Sequence, residues 1–361
     1  MIPIRYHNTV NTDYDDFVKA FKVKVDTWLR NGYIGNKHQM KAKTWKAKYS
    51  RLNDEQKRKF KSLFQGLSKI SSQADFSANE WILDSPTREF LKYIRDNVKI
   101  DDFVNKSLTE LKGIDAAIKR DGRFGDFTNK TSGLYKNVYH AFVELGYEKN
   151  IKKDKFIDAI GIKVCPYCNR AFIQNVAAGK KSVVKGELDH FLSKEDHPYL
   201  AICKYNLVPS CPFCNHVKRN QNKPNLRSPY DLTDANGIKF RMTITGHDFP
   251  NIEKCANAIT ILVEDNGSGN ASMQDNIEQF HLKEVYQTHT DYAAEIYYMG
   301  KLKLNSKYLY NIRRRLKKLQ MGITKDEVDR LLLGFYTNPR DFGNRPLSKF
   351  RYDLAVDEGL I

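Results

Sequence analysis

The stretches CPYCNRAF (165–172), GELDHF (186–191) and YNLVPSCPFCNHVKR (205–219) are the most informative part of this sequence. They contain two copies of the pattern Cys-Pro-aromatic-Cys-Asn, with 42 residues between Cys168 and Cys211. A Cys-x-x-Cys pair can bring two thiolates to one tetrahedral metal ion, and two such pairs complete the ligand set. The two copies therefore predict a zinc site with the ligands Cys165, Cys168, Cys211 and Cys214.

This predicted zinc site is structural, because four thiolates fill the tetrahedral coordination shell and leave no open position for a substrate. It would tie the start of a hairpin to the start of a helix, in a segment too short to bury much apolar surface. The remaining two cysteines, Cys203 and Cys255, have no partner at metal-ligand spacing. They are predicted to be ordinary buried residues.

The charge distribution indicates a polyanionic partner. The 361 residues carry a formal net charge of +17. Residues 151–230 hold 14 Lys and Arg against 6 Asp and Glu, whereas residues 231–361 hold 18 of each class. Clustered Lys and Arg replace the counterions that condense on a phosphate backbone, so nucleic acid is the predicted partner. A basic surface that only contacts solvent is the alternative.

The predicted location is the cytoplasm, without a membrane partner. No apolar stretch approaches the roughly 20 residues that span a bilayer. The first residues, MIPIRYHNTV, lack the basic-then-apolar layout of a signal peptide. A disulfide framework is therefore not expected, since cytoplasmic thiols stay reduced.

Hydrophobic periodicity divides the chain into three regions: residues 1–150, 151–230 and 231–361. In the first, apolar residues recur every three or four positions, which predicts a basic helical region that binds DNA or a partner. Its predicted helices cover 13–30, 52–70, 85–93, 107–120 and 134–145. The second region begins with a predicted hairpin between Arg170 and Phe191. In the third, strands are predicted over 238–245 and 259–264, before helices of which the last opens with a capping box, Thr324 and Glu327.

The order of the motif residues resembles that of the HNH, or His-Me finger, endonucleases over roughly residues 160–225. CxxC is followed by Asp-His, then Asn-Leu, then CxxCN with a Lys three residues later. The resemblance implies a ββα-metal unit, in which a two-stranded hairpin packs on a helix around one catalytic metal ion. The expected fold is α+β, with this zinc-bound unit between a mainly helical N-terminal region and a mixed C-terminal region. The implied reaction is endonucleolytic hydrolysis of phosphodiester bonds, in DNA more than in RNA, leaving 5′-phosphate ends.

The resemblance also implies catalytic roles. His190 is the implied general base, and imidazole suits this role because it titrates near neutral pH. Asp189 and Asn215 are the implied ligands of a catalytic Mg²⁺ or Mn²⁺ ion, for which oxygen donors are suited. His216 is an alternative to Asn215 as a metal ligand. Asn206 is implied to brace the loop that carries the base.

Several neighbouring residues receive more ordinary interpretations. Lys218 and Arg219, one turn into the helix, are predicted phosphate contacts. Glu187 lies on the same strand face as Asp189 and is given a structural role near the metal. His197 is predicted to be a loop residue whose hydrogen bonds are satisfied within the fold. The basic run over 313–318 either lines a DNA groove or forms a solvated helix face.

The motif is also similar to that of nucleases in bacterial anti-phage defence or restriction, some of which act with a partner ATPase. An ATPase and a second copy of this chain are therefore further expected partners, the latter because many double-strand cutters need two active sites. The alternative function is a non-catalytic, zinc-dependent nucleic-acid-binding module, and a third is a protein–protein adaptor. The complete set of Asp189, His190 and Asn215 favours the nuclease, since a binding module has no reason to retain it.

Overall fold

The chain folds as two compact units. The computed structural model describes residues 1–4, 12–32, 34, 40–41, 54, 73–74, 83–124, 127–178, 181–184, 186–220, 222–247, 249–267, 271–302, 306–318 and 322–361. The helical unit comprises Val10–Lys152 and His190–Leu207. The cysteine unit comprises Met1–Thr9, Lys153–Asp189 and Val208–Ile361. The division of the chain therefore falls within the Asp-His pair.

The helical unit consists mainly of helices. They are α1 (Thr12–Asn31), α2 (Ser85–Tyr93), α3 (Ile100–Phe103), α4 (Leu108–Arg120) and α5 (Gly133–Val138). Helices α2 and α5 continue as π-helical segments over Ile94–Val98 and Tyr139–Glu148. Short antiparallel strands, β1 (Met40–Lys41) and β2 (Gln73–Ala74), pair with each other. Four of the five helices predicted in this region are confirmed, and the one over 52–70 lies outside the described residues apart from Asp54.

Polar side chains set the starting points of two of these helices. Before α2, the Asp84 carboxylate accepts a hydrogen bond from the Thr87 backbone N–H at 2.9 Å. Before α4, Ser107 and Glu110 form a reciprocal capping box, with the Ser107 backbone N–H donating to the Glu110 carboxylate at 2.9 Å. These bonds satisfy backbone donors that the first turn of a helix leaves without a partner.

The apolar face of α1 supplies much of the core of the helical unit. Phe17, Phe21, Val25 and Trp28 recur every three or four residues, and all four are buried. The ring of Phe21 lies 5.2 Å from that of Phe142 and 5.8 Å from that of Trp28. Full burial of a side chain of this size contributes about 1.5–3 kcal/mol. The periodicity that predicts the helix therefore also identifies the face that it buries.

The segment 190–207 packs within the helical unit. A Cβ atom on Gly146 would come within 2.8 Å of Ile202 Cγ2, so a larger residue would require a shift at this contact. The Tyr14 hydroxyl donates to the Ile202 carbonyl at 2.5 Å, and the Lys204 backbone N–H donates to the Val104 carbonyl at 2.8 Å. This segment, hereafter the base loop, includes short 3₁₀ turns over Pro198–Leu200 and Lys204–Asn206.

The cysteine unit combines helices with small two-stranded sheets. The strand pairs are β3 (Val176–Ala178) with β4 (Lys181–Val184), β5 (Glu187–His190) with β6 (Leu207–Ser210), and β7 (Ile238–Ile244) with β8 (Ile259–Asp265). The first helices are α6 (Lys153–Ile160), α7 (Pro212–Lys218), α8 (Ile252–Asn257) and α9 (Gln274–Gln279). The later ones are α10 (Leu282–Gln287), α11 (Thr290–Lys301), α12 (Ser306–Lys318), α13 (Lys325–Leu333) and α14 (Ser348–Asp357). Two further 3₁₀ turns cover Pro229–Asp231 and Pro339–Asn344.

The two predicted C-terminal strands are confirmed. The hairpin predicted between Arg170 and Phe191 is present only over Val176–Val184, because β5 pairs with β6 instead. Strands β3 and β4 form an antiparallel pair with a register shift beside Val176. Strands β7 and β8 pair antiparallel from Ile238 opposite Asp265 to Ile244 opposite Ile259. Helix α13 begins with the predicted capping box. The fold is therefore mixed α and β, as expected, with sheets of only two strands among the described residues.

The long hairpin β7–β8 packs on aromatic residues of later helices. The ring of Phe240 lies 4.2 Å from that of Tyr286 in α10 and 5.5 Å from that of Phe350 in α14. All three side chains are fully buried. The Phe240 backbone N–H also donates to the Asp353 carboxylate at 3.0 Å, which joins the strand to α14 by a polar contact. Across the described parts of both units, no helix combines the length and apolar character required to cross a membrane.

Candidate functional site

The four cysteines of the two CxxC pairs form one cluster. Their sulfur atoms all lie within 4.8 Å of one another, and all four residues are buried. The Cys168 and Cys211 sulfurs are 3.9 Å apart. A tetrahedral site with Zn–S bonds of about 2.3 Å spaces its sulfurs by about 3.8 Å, so the donor set fits zinc. The predicted cluster is confirmed as one that can hold a metal ion such as zinc.

Backbone N–H groups around the cluster point at its sulfurs. The Arg170 N–H lies 3.4 Å from the Cys168 sulfur, and the Cys214 N–H lies 3.5 Å from the Cys211 sulfur. Such hydrogen bonds favour the charged thiolate, which is the metal-binding form of cysteine. The other cysteines, Cys203 and Cys255, are buried outside the cluster, as predicted.

The first Cys-Pro-aromatic-Cys-Asn copy is fastened to the C-terminal part of the cysteine unit through Asn169. This residue has a φ of 51°, in the left-handed region that asparagine tolerates better than most residues. Its side-chain amide donates to the Phe342 carbonyl at 2.8 Å, and its side-chain oxygen accepts from the Lys349 N–H at 3.1 Å. The Tyr286 hydroxyl donates to the Cys168 carbonyl at 2.5 Å. The first copy therefore has a structural asparagine.

The second copy forms the start of α7. Cys211 is the N-cap residue, and the three residues after it occupy the first helical turn. The Asn215 side-chain amide donates to the Glu187 carboxylate at 2.7 Å, and both residues are half-buried. His216 is exposed, and its Nε2 atom lies 2.9 Å from a guanidinium nitrogen of Arg219. Asparagine residues at matching sequence positions thus have different surroundings in the two copies.

Asp189 lies in a buried polar cluster of the cysteine unit. Only 3% of its surface is exposed. One carboxylate oxygen accepts from the Tyr167 hydroxyl at 2.6 Å, and the other accepts from the Lys218 ammonium group at 3.0 Å. Burial raises the pKa of Asp189, while the charge of Lys218 and the hydrogen bonds from Lys218 and Tyr167 oppose this rise. The carboxylate is therefore neutralised by an internal cation.

The two predicted phosphate contacts have contrasting environments. The Lys218 side chain is fully buried, and its ammonium group pairs with Asp189. Arg219 is exposed and ends α7 with a φ of 45°. In this arrangement, a phosphate has access to the guanidinium group of Arg219 but not to the ammonium group of Lys218.

The donor set implied for the catalytic Mg²⁺ or Mn²⁺ ion does not fit this arrangement. Asp189 is bound by Tyr167 and Lys218, and it is too deeply buried to share an ion with several water molecules. Mg²⁺ usually keeps several coordinated waters and requires near-octahedral geometry. The amide of Asn215 is directed at Glu187, and the alternative ligand His216 contacts Arg219.

His190 begins the base loop, and the helical unit orients its ring. Its Nε2 atom lies 3.1 Å from the Ala201 carbonyl oxygen. A carbonyl can only accept, so this contact places a proton on Nε2, and in the neutral ring Nδ1 is then the basic nitrogen. The edge-to-face contact with Tyr147, with 4.3 Å between ring centroids, further restricts the ring. His190 is buried, with 8% of its surface exposed.

Asn206 holds the two ends of the base loop together. Its side-chain oxygen accepts from the Leu192 N–H at 2.7 Å. Its amide donates to the Leu192 and Leu200 carbonyls, both at 3.1 Å. The Phe191 N–H donates to the Asn206 carbonyl at 2.9 Å. These hydrogen bonds connect the start of the base loop, just after His190, with its end.

Acidic and aromatic residues that the sequence analysis did not single out also hold the base loop. Asp115 in α4 accepts from His197 Nδ1 at 2.6 Å and from the Tyr199 hydroxyl. Its second oxygen lies 3.1 Å from the Lys119 ammonium group. Burial tends to raise the pKa of Asp115, but these partners lower it below its usual value. His197 is therefore a loop residue whose hydrogen bond is satisfied by Asp115 of α4, in agreement with its prediction.

A second group of contacts holds the tip of the base loop. The hydroxyls of Tyr135 and Tyr139 donate to Glu195, the first to its backbone carbonyl at 2.9 Å and the second to its carboxylate at 3.0 Å. Burial and the charge of Glu195 raise the pKa of both phenols, which keeps them protonated as donors. Single acids and tyrosines on helices have no local pattern that predicts such contacts.

Tyr167 is another residue that the sequence analysis overlooked, although a signal for it exists. The two copies differ at their aromatic position, with Tyr167 in the first and Phe213 in the second. Tyr167 is fully buried and uses its hydroxyl on Asp189, whereas Phe213 is 43% exposed. A buried phenol requires a hydrogen-bond partner. The tyrosine in place of phenylalanine therefore identifies the first copy as the one that contacts Asp189.

Comparisons with known proteins place the chain in no family. No family model matches it, no curated protein matches it, and no solved structure matches its fold. The functional argument therefore rests on the geometry of the described residues and on the order of the motif.

Proposed function

We propose that this chain is a zinc-stabilised endonuclease in which His190 acts as the general base. The observation that carries the proposal is the orientation of His190. Its Nε2–H is directed at the Ala201 carbonyl, and Asn206 holds the loop around it. A general base requires a fixed ring and a defined basic nitrogen, and both are present.

The reaction proposed for His190 is the hydrolysis of a phosphodiester. Nδ1 takes a proton from a water molecule as the water oxygen attacks phosphorus. The bond from phosphorus to the 3′-oxygen breaks, and that oxygen takes up a proton from a solvent water, which leaves a 3′-hydroxyl and a 5′-phosphate. The imidazolium ion then returns its proton to solvent. General base catalysis of this kind contributes typically 10²–10⁴-fold to a rate. The Ala201 carbonyl would stabilise the imidazolium ion that forms, because Nε2 remains its donor.

The cysteine cluster supports this proposal as a structural zinc site. It joins the turn at 165–168 to the start of α7, and the Asp-His pair lies between these segments in sequence. Four thiolates leave zinc without an open coordination position, so the ion would hold the fold together and take no part in the reaction. The order β5, β6, α7, with the two strands paired, agrees with the proposed ββα unit.

Helix α12 supports a nucleic-acid partner. It contains six Lys and Arg and no Asp or Glu among its 13 residues. Lys307, Arg314 and Arg315 are exposed, and in the described part of the chain none of these three pairs with a carboxylate. Tyr310 is 60% exposed on the same helix. Basic side chains beside exposed aromatic rings suit contacts with phosphates and stacking on bases. DNA is proposed over RNA, and roles in anti-phage defence and with an ATPase rest on the sequence resemblance alone.

A non-catalytic, zinc-dependent nucleic-acid-binding module is the second candidate. The observation in its favour is the state of the Asp-His pair: both oxygens of Asp189 are bound by side chains, and His190 is buried. A binding module would use the same cluster as a scaffold and the same basic residues to contact phosphate. The two candidates therefore predict the same binding and differ in cleavage.

A plasmid assay separates the two candidates. Zinc-loaded protein is incubated with supercoiled plasmid at low and moderate salt, with and without added Mg²⁺ or Mn²⁺. The nuclease is expected to give nicked or linear DNA whose ends can be labelled by a kinase only after phosphatase treatment, which identifies 5′-phosphates. Salt-sensitive retention of intact plasmid under every condition would favour the binding module.

A further inference from the structure

The buried contact between Asp189 and Lys218 connects three parts of the cysteine unit. Asp189 ends the portion of β5 that belongs to this unit, Lys218 is the last residue of α7, and Tyr167 lies in the first CxxC turn. Ammonium and phenol groups bind opposite carboxylate oxygens, at 3.0 Å and 2.6 Å. The charged pair is almost completely inaccessible, with 0% of the Lys218 side chain and 3% of the Asp189 side chain exposed.

We infer that Lys218 is a built-in counterion of Asp189 that keeps divalent metal ions away from this carboxylate. The motif resemblance implies a metal ion here, and the geometry instead assigns the position to a side chain. The ammonium group of Lys218 supplies the positive charge that compensates the buried Asp189 carboxylate. A metal ion would have to displace this buried group. Metal binding at this carboxylate is therefore expected only when Lys218 is removed.

Desolvation favours this assignment. A buried carboxylate without a cation is unstable, and removing one partner of a buried ion pair leaves the other charge uncompensated. A hydrated Mg²⁺ or Mn²⁺ ion would also have to lose several waters to reach a carboxylate that is only 3% exposed, a cost that the ammonium group does not incur. The ammonium group is smaller, carries its charge on a covalent tether, and brings no water.

The fixed pair also has a positioning role. Lys218 and Tyr167 hold Asp189 from α7 and from the first CxxC turn, and the next residue in the chain is His190. The pair thus fixes Asp189, the residue before His190, within the cysteine unit. The resemblance implies that a metal ion fixes the aspartate of the Asp-His pair. In this chain Lys218 would fix Asp189 in place of that ion.

The test measures Mn²⁺ binding to zinc-loaded protein by isothermal titration calorimetry, with Mn²⁺ electron paramagnetic resonance as a second readout. The variants are Asp189→Asn, Lys218→Met and the double variant Asp189→Asn/Lys218→Met. Asparagine keeps an acceptor oxygen for Lys218, and the double variant removes both charges together, which folded proteins often tolerate. Circular dichroism and zinc content establish which variants are folded.

Wild type and Asp189→Asn are expected to give the same Mn²⁺ titration. Lys218→Met should gain one site that binds Mn²⁺ at least tenfold more tightly than any site in wild type. The double variant should lack this site. A wild-type site that Asp189→Asn abolishes would overturn the inference, as would a folded Lys218→Met that gains no site. If Lys218→Met does not fold, the comparison of wild type with Asp189→Asn decides the question. No DNA is used, so this result is independent of whether the protein cleaves DNA.

Discussion

The cysteine cluster and the base loop are held in place by different means. The cluster gathers four thiolates from two short turns, so one metal ion can fix both turns at once. The base loop has no such centre, and its fixed points are separate polar contacts to Asn206, Asp115 and Glu195. The cluster is therefore expected to be lost as a whole, whereas the loop can be loosened one contact at a time.

The sources of these contacts also differ. The cysteines of each pair are three residues apart, so the pattern can be recognised from the sequence alone. Asp115 and His197 are 82 residues apart, and Tyr139 and Glu195 are 56 apart. The loop therefore depends on contacts with parts of the helical unit that are distant in sequence.

The largest expected effect is the loss of the cluster. Cys165→Ser should abolish zinc binding and unfold the cysteine unit, because zinc binding to structural sites contributes about 10–16 kcal/mol, more than most domains can lose. Zinc content by mass spectrometry and thermal unfolding by circular dichroism measure both results. About one zinc per chain is expected in wild type.

The control for this change is Cys255→Ser, which replaces a buried cysteine of the same unit outside the cluster. It should retain zinc and lose little stability. A metal-free Cys165→Ser protein with the wild-type melting temperature would contradict the structural role of the cluster.

A smaller effect is expected at the brace of the base loop. Asn206→Ala removes side-chain bonds to Leu192 and Leu200 and leaves buried backbone groups without partners. The free energy of unfolding should fall by about 2–4 kcal/mol, with zinc content unchanged. Urea denaturation measures the difference. Asn215→Ala loses one half-buried bond and should cost about 1 kcal/mol. An equal loss of free energy of unfolding in Asn206→Ala and Asn215→Ala would show that Asn206 is no more important to the fold than Asn215.

The contact at Asp115 should stabilise the helical unit less than Asn206 does, and this contribution should be sensitive to acid. Asp115→Asn should lower the free energy of unfolding at pH 7 by about 1–3 kcal/mol. The pKa of Asp115 is lowered by folding, so its stabilisation is present above the unfolded-state pKa of about 3.9 and is lost as the pH falls through its lower folded-state pKa. The difference between wild type and variant should therefore shrink below about pH 4.

Urea denaturation at a series of pH values measures this window. Asp96→Asn is the control, because Asp96 is an exposed carboxylate that is also hydrogen-bonded to a cation, Arg95. It should have little effect at any pH. A difference for Asp115→Asn that stays constant from pH 7 to pH 3 would show that its charge does not hold the loop.

Much of the fold could be predicted because its signals are local. Helical periodicity identified α1 and its buried face, and the strands predicted over 238–245 and 259–264 correspond to β7 and β8. The cysteine cluster was predictable for the same reason, since each pair lies within one turn.

The surroundings of the site could not be predicted in the same way. Lys218 has the sequence position of an exposed helix residue, and only the packing of α7 places it on Asp189. The contacts of Asp115 and Glu195 depend on elements far away in sequence. The boundary between the units falls inside the Asp-His pair, where no change in composition marks it.

The most direct test of the account compares initial rates of plasmid cleavage for wild type and His190→Ala at equal zinc content. His247→Ala, which changes an exposed histidine of the cysteine unit, is the matched control. The account predicts that His190→Ala cleaves at least about 100-fold more slowly while His247→Ala matches wild type. Equal cleavage by wild type and His190→Ala would contradict the proposal that His190 is the general base.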